Sequence, residues 1–154
     1  MLSKEEQKQK NLDFWNGFKE YMRKTPSSNG RRINWLNYPT ELKDVYVRLE
    51  VGSRGCSLNF DIQPKDKGIR EILWEQMGEL KVVLEAEMNY ETQWQERYFG
   101  ITNKEYSRIS WEAPEFNYFN EEHIPQIYAF LKARLVSFDK FYQEYKDLLI
   151  ALMD

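Results

Sequence analysis

Between Asp44 and Gln63, apolar and polar residues alternate through two arms, DVYVRLEV and CSLNFDIQ, joined by Gly52-Ser53-Arg54-Gly55. A period of two is the mark of a half-buried strand, so the stretch predicts a β-hairpin. Val45, Val47, Leu49 and Val51 share one face of the first arm, and Cys56, Leu58, Phe60 and Ile62 share one face of the second. With Gly52 opposite Gly55, Val51 meets Cys56, Leu49 meets Leu58, Val47 meets Phe60 and Val45 meets Ile62. A slip by one residue would expose half of these side chains, so the pattern specifies its own register. The two glycines are expected to supply a positive φ or a tight approach at the turn. The other face pairs Tyr46 with Asp61, Arg48 with Asn59 and Glu50 with Ser57. Antiparallel sheets commonly leave one face to water, and solvation is the expectation for this one.

Helical spacing occupies the flanks. Ser3-x-x-Glu6 reads as a capping box, placing a helix start near Lys4. Leu12, Phe14, Trp15, Phe18, Tyr21 and Met22 supply the apolar positions of that helix, and Thr25 to Gly30 ends it. A second helix is predicted from about Ile69 to Met88, with Ile69, Ile72, Leu73, Met77, Leu80, Val83 and Leu84 as its stripe. Gln76 falls inside the stripe as a polar group that needs a partner. Weaker strands follow near Thr92–Phe99 and Glu105–Glu112. There Trp94 and Tyr98 could share a face with Ile109 and Trp111, but Glu96 interrupts the pattern and leaves the register of this hairpin open. From about Asn120 to the end, Ile124, Tyr128, Leu131, Leu135, Phe138, Tyr142, Tyr145, Leu149 and Leu152 step by three and four. The reading is an α+β fold, helix–hairpin–helix–hairpin–helix, with an antiparallel sheet packed against helices in a single domain, 1–154. Two αββ units and a closing helix of about 30 residues suggest an internal structural repeat. A helix that long kinks, spans the sheet, or packs on something outside the domain such as a second copy of the chain.

Composition narrows the picture. The 154 residues are 16% aromatic and 31% charged, and the mean hydropathy is −0.76. That mixture suits a folded domain with amphipathic rings rather than a disordered chain. The lone cysteine, Cys56, faces the predicted core and reads as a small hydrophobe. It gives no internal disulfide, and a cytoplasmic location is the expectation. No apolar run reaches membrane-spanning length, and MLSKEEQKQK lacks the apolar core of a signal peptide. The net charge of −3 is uneven: residues 1–63 carry +3 and residues 64–154 carry −6. Lys19, Arg23, Lys24, Arg31 and Arg32 face only Glu20 within their stretch, a basic cluster on an acidic chain.

Catalytic signatures are sparse. A single histidine, His123, excludes a histidine metal cluster, and no GxGxxG, GxxxxGK[ST] or CxxC pair is present. One constellation resembles a Mg²⁺-dependent nuclease: Glu50 or Asp61 as the acid, with Gln63-Pro64-Lys65 as the neighbouring triplet. Pro64 breaks that triplet, and the register sets Glu50 about 20 Å from Gln63 at ~3.3 Å per residue. No catalytic residue, metal ligand or cofactor is therefore assigned. Anion contact is the stronger candidate. Arg31, Arg32, Arg48, Arg54 and Arg108 offer guanidinium forks suited to phosphate, and Trp35 offers a ring for stacking on a base. The plainer reading makes these surface arginines and a core tryptophan.

Several landmarks together resemble the bacterial domain of unknown function numbered 4268. They are Leu12-Asp13-Phe14-Trp15 with Phe18, the turn Gly52-Ser53-Arg54-Gly55, Gln76, Trp94, and Ser107-Arg108-Ile109. The likeness runs over about residues 11–148. In that family the turn more often has arginine before serine, and a His-Trp pair usually precedes it. Some members carry the domain behind a nuclease-like domain. The resemblance therefore implies a stand-alone accessory module in DNA processing or defence, with no established activity. Three expectations follow. The first is a non-enzymatic module contacting nucleic acid or another acidic partner. The others are a protein-interaction module that dimerises through the last helix, and a cryptic Mg²⁺-dependent nuclease.

Overall fold

The computed structural model of the chain describes residues 2–153. Helix α1 (Lys4–Met22) opens on the expected capping box: the Ser3 hydroxyl accepts from the Glu6 N–H, and the Glu6 carboxylate accepts from the Ser3 N–H. Strands β1 (Val45–Gly52) and β2 (Gly55–Ile62) pair in the register that the alternation demands, from Val45 opposite Ile62 to Gly52 opposite Gly55. Strands β3 (Gln93–Phe99) and β4 (Glu105–Ala113) form the second hairpin. The sheet order is β1-β2-β4-β3, antiparallel throughout, so each hairpin gives its second strand to the centre. This is an α+β fold closed by the long helix α4 (Ile124–Leu152).

Three expectations are corrected in detail. The predicted second helix is two helices, α2 (Lys67–Glu79) and α3 (Lys81–Met88), broken at Leu80. Gly78, a poor helix former, precedes the break. Leu80, Leu84 and Met88 are then buried, whereas Ile72 and Val83 from the predicted stripe are exposed. Only one of the two turn glycines is required. Gly55 has φ +122°, and a Cβ there would lie 2.5 Å from the Ala113 carbonyl oxygen, whereas a Cβ at Gly52 would meet nothing. In β3 the register shifts between Gln95 and Tyr98, and this bulge takes up Glu96. Trp94 stays on the core face opposite Ile109. Tyr98 is carried to the other face, opposite Tyr106, and so does not share a face with Ile109 and Trp111.

The core is one continuous apolar cluster between the sheet and the helices. Phe60, Trp111, Phe138 and Tyr142 meet at its centre, with Phe138 and Tyr142 stacked at 5.5 Å. Asn120 caps a short 3₁₀ turn, Glu121–His123, and Pro125 sits in the first turn of α4, where its missing N–H costs no hydrogen bond. From Ile127 to Leu149, α4 buries its stripe within this chain. Among the described residues, no helix is long and apolar enough to cross a membrane.

Candidate functional site

The polar face of the sheet is not the solvated surface that alternation suggests. Asn59, Asp61 and Ser110 are fully buried, and Arg108 is only 4% exposed. Residues from the central strands stand in the middle of this face, and longer side chains from the edge strands close over them. Asp61 on β2 lies opposite Arg108 on β4. The Arg108 guanidinium grips it in a fork, Nε to Oδ1 at 2.7 Å and Nη2 to Oδ2 at 2.9 Å. Arg48 donates its Nη1 to Asp61 Oδ2 at 2.8 Å and to Gln63 Oε1 at 2.7 Å. Arg108 also reaches Glu50 at 3.1 Å and lies over the Tyr98 ring at 4.2 Å. Burial opposes the Arg108 charge, but hydrogen bonding and charge from Asp61, then Glu50, outweigh it and hold the guanidinium above the usual arginine range. Burial, followed by the Asp61 charge, raises the neighbouring Tyr106 hydroxyl.

This network separates the sequence-predicted site residues into different roles. Arg108 is enclosed and committed to Asp61 and Glu50, so it offers no free fork to a ligand. Both oxygens of Asp61 accept from arginines. Two guanidiniums thus span the distance between Glu50 and Gln63 that the register imposes. Trp35 is 4% exposed and donates its indole N–H to the Thr25 carbonyl at 2.8 Å. Its ring forms part of the wall of the cleft beside α1. Arg54 is exposed at the β1–β2 tip, six positions along the hairpin from Arg48.

Arg31 and Arg32 remain exposed, and Arg32 lines a broad cleft. This cleft of about 690 Å³ lies between the C-terminal half of α1 and residues 32–37. Lys19, Arg23 and Arg32 line it with Glu20, while Met22, Ile33, Trp35 and Leu36 supply its apolar surface. Arg23 pairs with Glu20 at 3.1 Å across two well-exposed side chains, a contact that water and salt weaken. Three cations thus meet one carboxylate over an apolar floor. Such a site attracts a negatively charged group and can shelter an attached apolar one.

The wall of this cleft is held by a residue that motif reasoning missed. Asp139, on α4, is 1% exposed and faces no cation. It accepts instead from the Ser27 hydroxyl at 3.0 Å, the Ser28 N–H at 2.7 Å, the Tyr38 hydroxyl at 2.6 Å and the Gln143 amide at 3.2 Å. Burial first, then the hydrogen bond to Asp139 and its charge, push the Tyr38 hydroxyl far above the ordinary tyrosine range, so it stays a donor. The connection between α1 and β1 is therefore pinned at both ends of its exposed stretch. The available signal was a carboxylate at helical spacing between Leu135 and Tyr142, in an otherwise apolar stripe. His123, the lone histidine, accepts the Asn117 N–H at its Nδ1 and so closes a turn. Among the described residues, no three His, Cys, Asp or Glu side chains are grouped to hold a metal ion.

Fold and site together define a small α+β module with a cationic cleft and an internal charge network on one sheet face. The family model described as a domain of unknown function (DUF4268) matches residues 11–146. The chain belongs to that family. Searches of curated proteins and of solved structures each return no match.

Proposed function

We propose that the chain is a non-enzymatic binding module that takes an anionic partner, a nucleic-acid strand first among them, in the cleft between α1 and residues 32–37. The observation that carries this reading is the convergence of Lys19, Arg23 and Arg32 on an apolar-floored cleft with Glu20 as the opposing charge. Phosphates would meet the cations, and a base or apolar side chain would rest against Ile33 and Leu36. The carboxylate best placed for a nuclease, Asp61, is taken up by Arg48 and Arg108, which favours binding over metal-assisted hydrolysis.

Anisotropy of a labelled single-stranded oligonucleotide at low salt tests the proposal. The paired substitution Lys19→Gln and Arg32→Gln is expected to weaken binding at least tenfold, and Arg54→Gln to leave it within twofold. Equal affinity for the wild-type chain and the paired variant would overturn the assignment. A second reading, dimerisation through α4, draws on the exposed Val136, Leu148 and Leu152 of that helix. Concentration-dependent light scattering tests it, and a monomer mass at every concentration argues against it.

A further inference from the structure

A second, smaller cleft lies at the end of the sheet where β1 begins and β2 ends, with a volume of about 380 Å³. That size falls within the usual range for small-molecule sites. Arg48, Lys65, Arg70 and Lys104 line it, drawn from β1, the segment after β2, α2 and the β3–β4 connection. The sequence scatters these four cations over 57 positions, and only the folded sheet brings them together. We propose that this cleft binds the phosphate group of a small phosphorylated molecule, independently of the cleft beside α1.

The two arginines are oriented before any ligand arrives. Arg48 spends Nη1 on Asp61 and Gln63 and lies 4.4 Å over the Tyr46 ring. Arg70 spends Nη1 on the carbonyls of Pro64 and Lys65, at 2.9 and 3.0 Å. In both, Nε and Nη2 have no acceptor among the described residues, so each presents an unused edge. Fixing a fork from behind lowers the entropy lost when it closes on a phosphate. Lys65 and Lys104 form no ion pair among the described residues, and as flexible point charges they suit the outer phosphate oxygens. Two carboxylates, Asp44 and Glu105, also line the cleft and oppose the four cations. Asp44 accepts from the Tyr46 hydroxyl at 3.3 Å, and Glu105 faces Arg97 at 3.7 Å. Four cations against two carboxylates favour an anion, and the small volume favours a compact molecule over a polymer.

Titration of the ¹⁵N-labelled chain with inorganic phosphate and with a nucleoside 5′-monophosphate, in buffer free of other polyvalent anions, tests the proposal. Saturable amide shifts are expected at Gln63, Lys65, Arg70 and Lys104, with a Kd of millimolar or tighter for at least one probe. The paired change Lys65→Gln and Lys104→Gln leaves the Arg48–Asp61 contact untouched and is expected to weaken binding at least tenfold. Arg70→Gln is expected to do the same. The paired change Lys19→Gln and Arg32→Gln is expected to leave these shifts intact, which separates this site from the cleft beside α1. Shifts spread evenly over the surface, or affinity unchanged by the Lys65/Lys104 pair, would overturn the proposal. Tighter binding of an oligonucleotide than of either small probe at these same amides would overturn it as well.

Discussion

Asp61 is where charge and burial conflict most sharply. Its carboxylate is enclosed with Arg108 and joined by the half-buried Arg48, so its removal leaves two cations without their counter-charge. Breaking a buried pair from one side costs roughly 3–5 kcal/mol, well above the worth of an exposed pair. Asp61→Ala is therefore expected to lower the unfolding free energy read from urea denaturation by an amount in that range, and an unchanged free energy would contradict the network. Cys56 makes a different prediction. Burial, and then the Glu115 charge, push its thiol up to about 12 from an ordinary 9.0. The folded state thus holds its proton where the unfolded chain releases it. This contribution to stability is complete below pH 9 and declines as pH rises from 9 towards 12. A thiol-alkylating reagent at pH 8 is expected to leave the native chain unlabelled and to label it fully in denaturant. The two environments were not equally readable from the sequence. Cys56 could be assigned to the core by alternation, but the burial of Asp61 depends on a partner 47 positions away.

At the scale of elements, the sequence is most legible where a period is enforced by burial. The β1–β2 register follows from a period of two, because any slip would wet Val47, Leu49, Leu58 and Phe60. The break between α2 and α3 was masked because Leu80 fits the helical stripe, and Gly78 two positions before it was the one local sign of weakness. The bulge in β3 was signalled by Glu96 on a predicted apolar face, but only the pairing with β4 shows that it turns Tyr98 over. The turn glycines separate cleanly. Gly55→Ala places a Cβ against the backbone of Ala113 and Pro114 at φ +122°, and strain of this kind costs on the order of 1–3 kcal/mol. Gly52→Ala meets nothing and is expected to stay within about 0.5 kcal/mol of wild type. Thermal melts of the two variants check the contrast, and equal losses would contradict it.

For the whole molecule, Asp139 ties the fold to the proposed function. By holding Ser27, Ser28 and Tyr38, it fixes the segment that walls the cleft beside α1. Asp139→Ala leaves two buried donors, the Ser27 and Tyr38 hydroxyls, without their acceptor, at roughly 1–3 kcal/mol for each. Hydrogen exchange is expected to quicken first at residues 26–38, while β1 and β2 stay protected, and uniform quickening would contradict this pinning role. The basic character of this region was legible as a run of Lys and Arg, but which of those residues converge was not. Arg32 joins Lys19 and Arg23 across the α1–loop fold, whereas Arg108 turns inward and Arg54 stands apart.

In the proposed complex, Lys19 and Arg32 meet the phosphates of a bound strand. The most direct measurement is the slope of log affinity against log salt for a single-stranded oligonucleotide, wild type against the Lys19→Gln and Arg32→Gln pair. Each lost phosphate contact flattens the slope by about 0.7 on single strands, so a reduction of roughly 1.4 is expected. Identical slopes for the two proteins would contradict the claim.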